Sequence, residues 1–252
     1  CPAFAYEATQ DAVAVQRLKQ AGAVVLGKTN LDQFATGLVG VRSPYGAVPN
    51  TFDPTLVSGG SSSGSASVVA RGLVPFALST DTAGSGRVPA GFNQIVGLKP
   101  TPGAVSGTGL VPACRTLDCI GILALNVADS ALALSIMEGP DAQDAYSQAR
   151  PAIPKHLPLA QLRVAIPDKR QLSADYEAAF AQFADRLQPQ VATLQTLAFD
   201  TLFEVAKLLY YGPWVAERVV GARSMYEQQP EALLPVIRQV LDVHQRFNAA
   251  DT

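Results

Sequence analysis

The chain has 252 residues, 48% of them hydrophobic, and a formal net charge of −2, enough apolar material for one large core or two modest ones. Acidic and basic residues are scattered, so nothing points to nucleic acid or a membrane surface, and no apolar run reaches the ~20 residues of a spanning helix. Cys1, Cys114 and Cys119 form neither a CxxC pair nor a Cys/His cluster, which predicts a reducing, cytoplasmic setting, no metal or other cofactor, and a small molecule as the main partner; self-association into a homo-oligomer stays open.

In chain order, residues 11–20 carry Val13, Val15 and Leu18 at helical spacing before a stop at Gly22. Residues 23–26 then read as a short buried strand, and Thr29-Asn30 as the start of a second short helix through Phe34. A turn-rich stretch follows, with Pro44, Gly46, Pro49 and Pro54. Residues 63–71 read as a helix, 75–79 as a core strand ending at Asp81, 117–125 as a further strand, and 127–137 as an amphipathic helix stopped by Gly139-Pro140. A polar surface connection spans 141–158, and 162–166 reads as another buried strand. Residues 173–187 form a helix with Tyr176, Ala179, Phe180, Phe183 and Leu187 on one core-facing side. The last fifty residues are helical in pattern, broken at Gly212-Pro213 and near Pro230. Helices alternating with strands predict an α/β fold.

Two short motifs mislead. Residues 22–29 spell a phosphate-binding loop letter for letter, yet Ala23, Val24, Val25 and Leu26 between its glycines are apolar and β-forming where a phosphate cradle needs inward N–H groups. Residues 60–64 spell a nucleophile elbow centred on Ser62, but the residues before it, 50–54, read as a turn rather than a strand. The two histidines, His156 and His244, lie in polar surroundings and read as surface residues.

The stretch 58–101 holds two serine-bearing glycine turns, Gly59-Gly60-Ser61-Ser62-Ser63-Gly64 and Thr82-Ala83-Gly84-Ser85-Gly86, joined by an apolar helix and strand. Glycine lets backbone N–H groups crowd around one point, so two serines could share a site; on spacing alone, catalysis and plain loop structure stand level. These turns, with Asp81, Arg87 and the run GLKPT at 97–101, resemble the amidase signature family of serine hydrolases. That resemblance implies the family's fold, a mixed β-sheet core covered by helices on both faces, with this chain as the central part of the domain. It also implies Ser85 as the acylating nucleophile and Ser61 as a bridging serine on a cis peptide bond. The backbone N–H groups of Thr82, Ala83, Gly84 and Ser85 would form the oxyanion hole. Ala83 departs from the family's usual glycine; it keeps its N–H, but a positive φ there would be strained.

The segment AGAVVLGKTNLDQFATG is similar to the same family, with Gly37 bordering the substrate. LLYYGPWVAER resembles the family's allophanate hydrolase branch and the matching domain of urea amidolyase, so Tyr210 and Arg218 would hold the substrate's carboxylate. The activity implied is hydrolysis of the terminal amide of allophanate with release of ammonia, in urea or cyanurate breakdown. Rivals are a glutamyl-tRNA amidotransferase of the A type, a generic amidase and a non-catalytic binding or assembly remnant; GPWVAER speaks against the amidotransferase. The family's catalytic lysine would precede Cys1. Lys99 belongs to GLKPT, Lys28 to the expected strand end, and Lys19, Lys155, Lys169 and Lys207 read as exposed. Residues 1–252 alone are therefore expected to be inactive, with 1–200 as the central α/β part of one amidase domain and 201–252 as its helical segment beside the substrate.

Overall fold

The computed structural model describes residues 1–149, 157–168, 170, 172–248 and 250–251; Lys155, His156 and Lys169 lie outside these. Two compact units are present, one of Cys1–Arg150 with Leu209–Thr252 and one of Pro151–Leu208.

The first unit is built on an antiparallel sheet in the order β1-β3-β2, formed by β1 (Phe76–Asp81), β2 (Val96–Leu98) and β3 (Cys119–Ala124). Every residue of the central strand is buried, which explains its unbroken apolar sequence: a strand covered on both faces has no solvent side to make polar. Ile120 and Ile122 pack against Ala14 and Leu18 of α1 (Val13–Gln20) and against Ala133 and Met137 of α4 (Val127–Met137). On the opposite face, Leu123 meets Ala66 and Val69 of α2 (Ser63–Ala70) and Ala90 of α3 (Arg87–Phe92). Helices thus cover both faces, and each fully buried Ile or Leu contributes about 1.5–3 kcal/mol. A second cluster joins α7 (Val215–Gln228) to α8 (Pro235–Asp242) through Val219, Ala222, Met225, Leu233, Ile237 and Leu241, and Phe34 packs against it.

The other unit pairs β4 (Arg163–Pro167) with β5 (Thr193–Leu197) in parallel and adds α5 (Ala174–Leu187). From it α6 (Asp200–Tyr211) carries the chain back to the first unit.

Several expected elements come out differently. Residues 23–26 form no strand, and Val24, Val25 and Leu26 are exposed; among the described residues no neighbouring strand supplies the ladder that a β-former needs. The short helix through Phe34 is one 3-10 turn, Gln33–Ala35, because Phe34 and Ala35 both take left-handed conformations that end any helix. The helix α4 is only weakly amphipathic, its outer side leaving Val127 and Leu132 in solvent beside Asp129 and Ser135. In β4 no residue is buried, and the apolar face of α5 leaves Tyr176 and Phe183 exposed within this two-stranded unit. His244 is half-buried, its Nδ1 2.7 Å from the Leu241 carbonyl, and its ring lies edge-on to Tyr226. The expected surface connection at 141–158 holds one buried carboxylate, Asp144, because it caps N–H groups of Gly107 and Tyr146 and pairs with Arg115.

Candidate active site

Strand β1 ends at Asp81, and the shape of the turn after it follows from this carboxylate. Asp81 is buried and accepts from the Gly86 and Arg87 N–H groups at 3.2 and 3.1 Å, while the Arg87 guanidinium grips it side-on through Nε and Nη2, both at 2.9 Å. Burial works to raise the Asp81 pKa, but the Arg87 contacts and the backbone donors outweigh it and hold the carboxyl below its ordinary range. The turn so fixed carries Ser85, 2% exposed, whose Oγ donates to the Gly37 carbonyl at 3.4 Å. Gly84 sits at φ +145, and Ala83 is not among the positive-φ residues, so the alanine departure brings no backbone strain. Among the described residues no acceptor takes the N–H groups of Thr82, Ala83, Gly84 or Ser85.

The second serine turn docks on the first. Ser62 N–H donates to the Ser85 carbonyl at 3.0 Å, and its hydroxyl exchanges hydrogen bonds with Thr80 N–H and C=O at 3.1 and 3.2 Å. The hydroxyl of Ser62 is thereby committed to the sheet edge, which removes it as an elbow nucleophile. Ser61 differs: it is fully buried, follows a cis Gly60–Ser61 peptide bond, and its Oγ has no hydrogen-bond partner.

Residues 30–42 wrap this pair of turns. The buried Asp32 carboxylate accepts from Gly40 N–H at 3.1 Å and Arg42 N–H at 2.7 Å, and its own N–H donates to the Ser61 carbonyl at 3.0 Å. Glycine is required around it: a Cβ on Gly60 would stand 2.2 Å from Asp32 Oδ2, and one on Gly37 2.6 Å. Gln33 fastens the same loop to the chain between α7 and α8, donating to the Ala232 carbonyl and accepting from Leu234 N–H. The phosphate-loop look-alike at 22–29 opens no helix, so its glycines build no cradle.

Arg218 of α7 is 2% exposed. Its Nη1 donates to Thr36 Oγ1 at 3.1 Å and to the Ala35 carbonyl at 3.4 Å, and its guanidinium lies over the Tyr210 ring, 4.9 Å from the centroid. Arg218 Nε and Nη2 and the Tyr210 hydroxyl are buried without partners. Native interiors satisfy nearly all such groups, so these three stand out among the buried polar atoms. Thr36 and Gly37 are consecutive, one bonded to Arg218 and the other to Ser85, and they bring the two predicted groups of residues to a common loop.

Sequence reasoning missed the residues that hold these pieces together. The Thr82 hydroxyl donates to Asp118 Oδ1 at 2.5 Å, and Asp118 also accepts from Ala113 and Cys114 N–H. Next to Arg218, Glu217 accepts from Thr116 N–H and Oγ1 at 2.9 and 2.7 Å and from Cys114 Sγ at 3.4 Å. Burial first, and the Glu217 carboxylate second, push the Cys114 thiol up to about 12. The adjacent Glu-Arg pair in GPWVAER was the one available signal for Glu217; Thr36 and Asp118 had none. Among the described lysines none reaches either serine: Lys19 pairs with Asp11, Lys207 with Glu204, Lys99 Nζ donates to the Pro100 carbonyl and Cys119, and Lys28 is exposed. All three cysteines are free, no cluster fit to hold a metal occurs among the described residues, and no described helix is long and apolar enough to cross a membrane.

The Amidase family model matches residues 3–251. Urea amidolyase of Saccharomyces cerevisiae is 46% identical over 256 residues, covering 100% of this chain and 14% of the relative. Among solved structures, a Kluyveromyces lactis allophanate hydrolase superposes with a TM-score of 0.91 at 44% identity, covering 100% of this chain and 42% of that one. The A-type subunit of glutamyl-tRNA(Gln) amidotransferase from Thermotoga maritima superposes with a TM-score of 0.78 at 31% identity, covering 97% of this chain and 54% of that one. The chain therefore spans less than half the length of the first two relatives.

Proposed function

Because the chain belongs to the amidase family, we propose that it forms the catalytic centre of an allophanate hydrolase, cleaving the terminal amide of allophanate and releasing ammonia in urea breakdown. One observation carries this reading beyond a generic amidase: a buried guanidinium with two unpartnered nitrogens beside an unpartnered phenol, one residue along the loop from the carbonyl that touches Ser85. A short amide bearing one carboxylate satisfies both ends at once. The relatives named urea amidolyase and allophanate hydrolase support that choice by matching along 100% of this chain.

An amide is a poor acyl donor, so its hydrolysis needs an activated nucleophile, donors for the oxyanion and an acid for the departing nitrogen. Ser85 Oγ attacks the amide carbon while its proton passes to Ser61 Oγ, whose hydroxyl is free to take part. Ser61 hands the proton on to a lysine that is not among the described residues, and the same route returns it to the leaving ammonia. Oxyanion charge falls on the free N–H groups of Thr82, Ala83, Gly84 and Ser85, where one such donor is worth about 10²–10³ in rate. Water then cleaves the acyl-Ser85 ester and restores the hydroxyl. Tyr210 and Arg218 hold the carboxylate through charge-assisted hydrogen bonds, with Gly37 bordering the reacting carbon. Residues 1–200 supply the two serine turns of one amidase domain and 201–252 its carboxylate clamp. Ser85→Ala in the full-length protein is expected to abolish ammonia release from allophanate; a near-normal rate would overturn this assignment.

A further inference from the structure

The nucleophile and the carboxylate clamp are not joined directly; the dipeptide Thr36-Gly37 stands between them. Thr36 is fully buried, and its hydroxyl has two fixed roles: Oγ1 donates to the Phe34 carbonyl at 3.0 Å and accepts from Arg218 Nη1 at 3.1 Å. A hydroxyl whose single proton is committed to a carbonyl presents only lone pairs to its other neighbour, so its orientation toward the guanidinium is set. The Phe34 carbonyl is in turn placed by two successive left-handed residues, Phe34 at φ 51 and Ala35 at φ 52, a conformation disfavoured for any side chain with a Cβ and retained here at the site.

The consequence for Arg218 follows from the geometry of its fork. With Nη1 held by Thr36 and the Ala35 carbonyl, the unpartnered atoms are Nε and Nη2, which form one edge of the guanidinium. This is the edge by which Arg87 grips the Asp81 carboxylate with two bonds of 2.9 Å in the same molecule. An arginine tethered at Nη1 presents that edge as a preformed two-pronged carboxylate receptor, whereas an untethered one would rotate among several edges.

We infer that Thr36 is a specificity-determining positioning residue: its hydroxyl holds Arg218 Nη1 so that the Nε/Nη2 edge faces a substrate carboxylate at a distance from Ser85 set by the adjoining Gly37. This rests on the reading of Arg218 as the carboxylate clamp. Thr36→Val in the full-length protein keeps the shape and removes the acceptor. It raises KM for allophanate about tenfold to a hundredfold, the range for a lost hydrogen bond to a charged group, while kcat/KM for a short uncharged amide stays within about twofold. Thr36→Ser restores the acceptor and brings KM back toward wild type. Should Thr36→Val fail to fold, Thr36→Ala is put through the same pair of substrates. An equal loss on both substrates, or no loss on either, overturns the proposal, as does failure of Thr36→Ser to rescue. Arg218→Ala is measured alongside. If it abolishes discrimination while the Thr36 variants do not, only the positioning role falls; if it leaves discrimination intact, the clamp reading falls and the proposal with it.

Discussion

Replacing Arg218 by alanine removes a guanidinium that is 2% exposed, stacked over Tyr210 and bonded to Thr36 and Ala35 through Nη1. Two separate losses follow. The structural loss is the Nη1 bond and the ring contact, together about 2–4 kcal/mol on a desolvated site, and it lowers the melting temperature without distinguishing substrates. The functional loss is that of the Nε and Nη2 donors, which have no protein partner and therefore contribute only when a ligand is bound. A desolvated charged contact of this kind is worth about 2–5 kcal/mol, or roughly thirtyfold to several-thousandfold in kcat/KM for a carboxylate-bearing amide. An uncharged amide gains nothing from those donors and is expected to lose less than about threefold. Steady-state kinetics on allophanate and on a short neutral amide, with thermal unfolding as the control for folding, separates the two. An equal and small effect on both substrates would refute the reasoning and place Arg218 among structural residues.

Ser61→Ala is expected to leave stability unchanged within about 0.5 kcal/mol, because the deleted hydroxyl has no partner, while ammonia release falls by about 10²–10⁴; a destabilised protein with normal turnover would reverse that reading. Gly84→Ala forces a Cβ onto a residue at φ +145, 3.2 Å from Val88 Cγ2, and is expected to cost about 1–3 kcal/mol in chemical denaturation with a matching fall in kcat, whereas a neutral result would show that the turn is free to relax. Cys114, with its thiol at about 12 through burial and Glu217, should resist iodoacetamide at pH 8 until the protein is unfolded. Its folded pKa lies above the unfolded value, so its contribution to stability is complete below about pH 9 and is lost as pH rises toward 12; alkaline unfolding that is unaffected by Cys114→Ala would contradict this.

What the sequence made legible was what glycine and serine write locally. The two turns, the helix between them and the strand ending at Asp81 depend on neighbours a few positions away, and each lies where the pattern put it. Residues 23–26 failed for the opposite reason: valine and leucine state a preference for a pleated surface, but a strand exists only where a second strand offers its ladder, and that partner is not written in the run itself. The apolar stripe of α5 was read correctly as a helix and wrongly as core, since periodicity reports which side is apolar and not how much protein covers it. Thr36 and Gln33 were invisible because their partners lie 182 and 199 positions away, distances over which no local pattern carries information. Arg218 was found through an eleven-residue likeness; its burial and its two idle nitrogens could come only from coordinates.

The glycines crowded around Asp32 have a consequence for how this protein can change over generations. A side chain at position 60 or 37 would overlap the Asp32 carboxylate, and at position 40 it would strike the Gly59 carbonyl at 2.5 Å. Shrinking Asp32 to admit a larger residue would strip Gly40 and Arg42 of their shared acceptor, leaving two N–H groups in want of a partner. Each single step therefore damages the loop before a second could repair it, so the effects are far from additive. Substitutions at positions 32, 37 and 60 are thus coupled through one carboxylate, whereas position 40 is constrained separately by the Gly59 backbone.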